Sequence, residues 1–206
     1  SKLKLTPFAL SIISPLAEGA DRLAVKEVLN IKSISGANGN YSIVDSCLDA
    51  VLPLTTEDYL QDFKTEESKK EFSDLLSLTR KPVFLRDKSL SEEYDAEALS
   101  DARRNAYYNV GMYVVDNCDI LIAIWDGKEG TKRGGTADIV AYARRKNKPL
   151  IILNKEFPDE CKLENKNKLS NKDIESLEDF NKQLLKESKT DNKENYLNKF
   201  FKDSVE

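Results

Sequence analysis

Apolar residues in this chain fall into short unbroken runs separated by stretches of helical period. Residues 8–13 (Phe-Ala-Leu-Ser-Ile-Ile), 48–53, 82–86, 120–125 (Ile-Leu-Ile-Ala-Ile-Trp) and 150–153 read as strands. Between them, spacing of three and four predicts helices over 20–29, 57–63, 66–78, 101–116 and 136–146. Leu60, Phe63, Phe72, Leu75, Leu76 and Leu78 are expected to face inward, as are Ala106, Val110, Tyr113 and Val114. Residues 31–46, rich in Ser, Gly and Asn, read as a loop or a hairpin, and 87–100 as an acidic irregular stretch. Strand runs that do not alternate with polar residues are expected where both sheet faces are covered. The pattern therefore predicts an α/β sandwich with a mostly parallel sheet. After residue 154 the composition turns to Lys, Asn, Glu and Asp. Ile174, Leu177, Phe180 and Leu184 suggest one amphipathic helix, and Tyr196, Leu197, Phe200 and Phe201 a second. The expected division is an α/β domain over 1–154 and a charged, helical appendage over 155–206.

Composition narrows the function. The 206 residues carry a net charge of −4, with 40% hydrophobic and 33% charged residues. A sequence pI near 5.2 argues against bulk nucleic-acid binding, which calls for a basic face. No apolar run is long enough to span a membrane, and no apolar leader core follows the first lysines. Cys47, Cys118 and Cys161 are odd in number and widely spaced, as expected of reduced thiols in a cytoplasmic protein. No CxxC pair occurs, so no metal site is expected. Histidine is absent, which removes Ser-His-Asp and Cys-His catalysis and His-ligated zinc. Acid–base chemistry would fall to carboxylates, Lys or Tyr.

The candidate chemistry lies in two glycine-bearing bends that each join a strand to a helix. In open α/β sheets ligands bind at the carboxyl ends of strands, and a helix N-terminus offers free amides to an anion. After strand 120–125, Gly134-Gly135-Thr136-Ala137-Asp138 starts a helix. The glycines permit close approach, and Thr136 either caps the helix or binds a phosphate oxygen. After strand 8–13, Ser14-Pro15-Leu16-Ala17-Glu18-Gly19-Ala20-Asp21-Arg22 occupies the equivalent place. Asp21 suits the helix dipole or a ligand, and Arg22 can pair with phosphate. Asp126, in Trp125-Asp126-Gly127, either forms a turn or holds a ribose hydroxyl or a catalytic water. Tyr107 and Tyr108, with Gly111, either pack or stack on a base. Arg103-Arg104 and Arg144-Arg145-Lys146 read as solvated helix faces.

SPLAEGADRLA, VLPL-TTEDYLQDF, YYNVGMYVVDNCDILIAIWDGK and GGTADIVAYARRKNKPLIIL follow one another in order. Together they resemble the Rossmann-like SLOG superfamily, over roughly residues 8–153. That superfamily is related to the DNA-uptake protein DprA and to the LOG (lysine-decarboxylase-like) phosphoribohydrolases. The resemblance implies a Rossmann-like three-layer sandwich, to which the C-terminal amphipathic helices read from the spacing are added, and a nucleotide or nucleotide-derived ligand. The ligand would lie across Ser14, Glu18, Gly19, Ala20, Asp21 and Arg22 on one side. On the other it would meet Asp126, Gly134, Gly135, Thr136, Asp138 and Tyr107. Many such domains sense or make nucleotide signals in bacterial antiphage systems, so a homo-oligomer or an associated effector is expected. The alternative is an N-glycosidic-bond hydrolase or transferase acting on nucleotides. LOG enzymes and the similar nucleoside deoxyribosyltransferases carry GTxxE; here Ile139 stands at the glutamate position, leaving Asp126 or Asp138 as catalytic candidates. Relatives with this motif set usually have a further strand and Gly-rich turn before SPLAEGADR.

Overall fold

The computed structural model describes residues 6–31, 34–35, 41–128, 130, 133–154 and 161–165. The elements run β1 (Thr6–Ser14), α1 (Ala20–Asn30), β2 (Ile34–Ser35), β3 (Tyr41–Leu52), α2 (Thr56–Leu60), α3 (Glu66–Ser77), β4 (Val83–Phe84), α4 (Leu90–Glu93), α5 (Leu99–Asn117), β5 (Leu121–Ile124), α6 (Thr136–Arg145), β6 (Leu150–Leu153) and β7 (Cys161–Glu164). The fold is mixed α/β, compatible with a Rossmann-like arrangement. No helix among the described residues is long and apolar enough to cross a membrane.

The described strands form two hydrogen-bonded sheets. In the first, β3 lies between β1 and β4 and is parallel to both, with β2 antiparallel to its amino-terminal half. In the second, β6 is parallel to β5 and antiparallel to β7. Each sheet has its own apolar core. Leu16, Val25, Leu48, Leu52, Tyr59 and Phe72 pack against the first; Val115, Leu121, Val140 and Leu150 pack against the second. The 19-residue α5 joins them. Its amino-terminal half places Ala102 and Ala106 in the first core, and its carboxyl-terminal half places Val115 in the second. α5 also packs along α6. Gly111 makes that approach possible, since a Cβ there would meet the Ile139 side chain at 2.3 Å.

Several expectations need correction. The stretch 31–46 holds the hairpin, one of its two readings, with β2 antiparallel to the start of β3, but β3 begins at Tyr41 and not at 48. Leu78 is 60% exposed: it caps α3 with helical backbone and stands about 120° around the helix from the buried Phe72. Residues 161–164 are a strand, not part of a helical appendage. β7 pairs with β6, and Arg144 clamps Glu164 through two bonds of 2.9 and 3.0 Å, so the α/β unit runs past residue 154. The helices expected around 174–184 and 196–201 lie outside the described residues.

Candidate functional site

The bend after β1 is held in a strained shape by its own side chains. Leu16 is left-handed, with φ of 59°, an unusual state for a branched residue. Its amide donates to the buried Ser14 hydroxyl at 3.1 Å, its carbonyl accepts from Arg22 Nε at 3.0 Å, and its side chain is fully buried. Gly19 then takes a φ of 86° and ends the bend without a side-chain cap. Only glycine adopts that conformation freely. The tip, Glu18-Gly19-Ala20, is exposed, and the first amides of α1 have no partner within the helix.

Arg22 does not point to the tip. It is 2% exposed and lies over the Phe63 ring at 4.2 Å. Its Nη1 donates to the Ser68 carbonyl and hydroxyl, both at 2.9 Å, and to Glu71 at 3.0 Å. The expected phosphate ligand is instead the bolt between this bend and α3. Glu18 accepts from the same Ser68 hydroxyl. Ser14 likewise serves the bend from inside.

Asp21 lies in enclosed surroundings. Desolvation pushes its carboxyl up to about 6, against the Ala17 amide and Arg22, which favour the charged form. The same carboxylate, after burial, helps to push the Tyr59 hydroxyl up. Tyr59 is 2% exposed, and its hydroxyl has no hydrogen-bond partner among the described residues. Asp62 is one helical turn further. It accepts from Arg103 Nε at 3.1 Å and from the Tyr107 hydroxyl. Burial raises its pKa, Arg103 opposes, and the nearby Asp58 and Glu18 add to the rise.

The bend after β5 is tied to α5. Gly134 has a φ of 89°, and a Cβ there would lie 3.0 Å from the Arg104 carbonyl and 3.1 Å from the Tyr108 amide. Both are backbone atoms, so the close approach requires glycine. The Gly134 amide donates to Asp138 Oδ2 at 2.8 Å. Asp138 is thus a brace across the bend, and the Gly134 amide is spent on it. Gly135, by contrast, is extended at φ −79°, ψ 171°, which any residue can adopt. The amides of Gly135, Thr136 and Ala137 remain at the open end of α6. Thr136 is exposed, and the helix has no side-chain cap. Arg133 sits beside it, its guanidinium 4.9 Å from the centre of the Tyr108 ring. Asp126 accepts from the Lys128 amide at 3.1 Å, and Trp125 Nε1 donates to the Lys128 carbonyl at 2.9 Å. Asp126 therefore shapes its own turn. Ile139 packs against Gly111 at the α5–α6 crossing, so the glutamate position of GTxxE serves packing.

Tyr107 joins the second bend to the turn after α2. Its Cβ is 3.4 Å from where a Gly134 side chain would begin. Its ring is 6.2 Å from that of Tyr59, and its hydroxyl reaches Asp62, which lies within charge range of Glu18. Tyr107 and Asp62 thus form a wall from Gly134 to α2, and the Glu18 carboxylate acts on Asp62 by its charge. The sequence reading missed Tyr59 and Asp62 and took Arg103 for a solvated residue. The signal was present in TTEDYLQDF: positions 59, 62 and 63 share a helix face. Among the described residues no cluster gathers three side chains able to hold a metal. The chain matches no protein-family profile and no curated protein.

Proposed function

We propose that the chain is a SLOG-like module, of Rossmann-like three-layer architecture, that binds a phosphorylated nucleotide-type ligand along the wall between its two glycine-bearing bends. The observation that supports the reading is the contact from Asp62 through Tyr107 to Gly134, together with the uncapped amino-terminal ends of α1 and α6 and the charge of Glu18 felt at Asp62. Charge gives the ligand a direction. Glu18, Asp21 and Asp62 gather near the α1 end, where a phosphate would be repelled. Gly135, Thr136 and Ala137 offer amides at the α6 end, with Arg133 alongside. The phosphate therefore belongs at α6, and the sugar hydroxyls belong toward Glu18 and Asp62, with Tyr107 beside them. On this reading the bound state is passed to a second copy of the chain or to an associated effector in a cytoplasmic signalling or defence system.

The second reading, hydrolysis of an N-glycosidic bond, gains from one observation. Asp138 and Asp126 are engaged in their own turns, but Asp21, pushed up to about 6 by burial, acts by its charge on the Tyr59 hydroxyl, which has no partner among the described residues, and suits proton transfer near neutral pH.

One calorimetric experiment separates the readings. Nucleoside mono-, di- and triphosphates and NAD are titrated into the protein and into Gly135→Val, whose backbone needs no glycine. Binding is expected in the wild type and lost in the variant, with its melting temperature retained. Ligand at 100 times its dissociation constant should add about 2.7 kcal/mol of stability. Affinity that survives in Gly135→Val, or a melting temperature that no nucleotide moves, would refute the proposed site. Free base appearing in the same mixtures, and vanishing in Asp21→Asn, would favour the enzyme.

A further inference from the structure

We infer that residues 174–184 form a helix that covers the apolar face of β6 and β7 and supplies a further layer to the second sheet. The register fixes which face this is. Leu121, Ala123, Leu150 and Ile152 pack with Val140 and Ala143 of α6, and Arg144 of α6 holds Glu164. Side chains alternate along a strand, so Leu163 points away from α6, beside Ile151, as Cys161 does beside Leu153. Ile122 and Ile124 continue the same face on β5. No charged side chain interrupts it. Ile122 and Cys161 are exposed, and the other four are half-buried. Apolar strands of this kind call for cover on both faces, and a contiguous open apolar patch marks a contact surface.

The chain itself supplies the occupant. β7 ends at Asn165, whose φ of 58° turns the backbone and whose Nδ2 donates to the Lys148 carbonyl at 2.8 Å. The exit is therefore pinned beside the start of β6. Ile174 follows nine residues later, a reach of about 30 Å when extended. The face is only about 10 Å wide, since adjacent strands lie about 4.8 Å apart. Residues 166–206 lie outside the described residues, and the occupant is read from their sequence. Ile174, Leu177, Phe180 and Leu184 fall within about 120° of a helix surface, with Glu175, Glu178, Asp179 and Lys182 outside that arc. Asp173 and Glu175 at the start, and Lys182 and Lys186 at the end, suit the helix dipole. A helix about 10 Å across covers two strands, so β6 and β7 are taken and Ile122, on β5, stays open. So short a tether holds the segment at a millimolar effective concentration, which favours it over a second copy at this face.

Trypsin tests this in the full chain, with cleavage after Lys182 and Lys186 followed by mass spectrometry. A helix of this length is marginal in water by itself, so protection of both sites reports docking. Phe180→Asp and Leu163→Asp should each speed cleavage by about tenfold, because proteolysis tracks the open population; Ile122→Lys should leave it unchanged. Leu163 is remote in sequence from both scissile bonds, so its effect cannot be local. Alkylation of Cys161 by a maleimide should also speed up in Phe180→Asp, which leaves every described side chain in place. Should Leu163→Asp fail to fold, that measurement still decides. Three results would overturn the inference. Lys182 and Lys186 are cut in the wild type as fast as in Phe180→Asp. Protection survives in a folded Leu163→Asp, and Cys161 reacts alike with and without Phe180. Or protection falls on dilution, which would give the face to a second copy.

Discussion

Each sheet contains a short unbroken apolar run, 50–52 in β3 and 121–124 in β5, yet the two runs are covered differently. In β3 the consecutive residues Ala50, Val51 and Leu52 are all buried, at 1%, 1% and 0% exposure. Successive strand residues point to opposite faces, so both faces of that strand are covered. In β5, Leu121 and Ala123 are buried while Ile122 between them is 54% exposed. The other face of the second sheet is only partly covered by described residues: Ile122 is open, while Ile124, Ile151 and Leu153 are half-buried. The bends follow the same division. The one after β1 is bolted to α3 through Arg22, Ser68 and Glu71. The one after β5 depends on Asp138 and on Gly134 seated against α5. An unbroken apolar run thus predicts a strand, but not how many of its faces are buried. The rigid partner in the proposed ligand site is the β1 side; the β5 side is where the anion contacts are free.

The most severe way to break this contrast is to remove the bolt. Arg22→Ala would leave Glu71 with only Lys26 and the Leu16 carbonyl without its guanidinium partner, and would open space beside Phe63. Glu71 is 37% exposed and keeps Lys26, so the cost comes from the buried Leu16 carbonyl left unpaired and from the space opened beside Phe63, about 2–4 kcal/mol together. Chemical denaturation should show a loss of that size. A loss below about 1 kcal/mol would mean that the bend is held by its backbone alone, and that the two bends are alike.

Protons distinguish the two halves next. Asp21 is raised from 3.8 to about 6 by burial, so between those values the folded chain holds a proton that the unfolded chain has lost. Stability from this group is complete below about pH 4 and lost as pH rises through 6, by at most about 3 kcal/mol. Glu164 has the opposite sign. Arg144 holds it down from 4.5 to about 2, so its contribution is present above pH 4.5 and lost as pH falls toward 2. Melting curves between pH 2.5 and 7 should show Asp21→Asn flattening the decline between 4 and 6, and Glu164→Gln flattening the acid-side loss. Variants with the wild-type slope in those windows would remove the electrostatic difference between the halves.

The helices and core strands were legible because their periods are clear: α1, α3, α5 and α6 begin and end within about two residues of where spacing and caps put them. The first part of β3 was not, because Ser42, Asp45 and Ser46 interrupt its apolar run. β7 was not, because Cys-Lys-Leu-Glu is too short to show a period against a Lys- and Asn-rich background. Both bends could be found from their glycines. The direction of a side chain could not. Arg22 and Asp138 have the chemistry of ligand residues, but each is turned to internal work: Arg22 by tertiary partners, Ser68 and Glu71, and Asp138 by a local one, the Gly134 amide at the start of the same bend. No local pattern encodes the Arg22 partners, which lie tens of residues away, and the Asp138 brace depends on a left-handed Gly134 that a helix-capping pattern does not specify.

The smallest expected effect bears on the open face itself. Ile122→Lys places a charge on a residue 54% exposed, and a surface substitution of this kind changes stability by about 0.5 kcal/mol or less. Leu52→Ala, at a site with no exposure, should cost about 2–5 kcal/mol. Urea denaturation of both variants measures the difference directly. If Ile122→Lys instead costs more than about 1 kcal/mol, the lost apolar contact must have a partner, and the face is covered in solution by another part of the chain or by a second copy. Repeating the measurement at several protein concentrations tells those two apart, because only association makes stability depend on concentration.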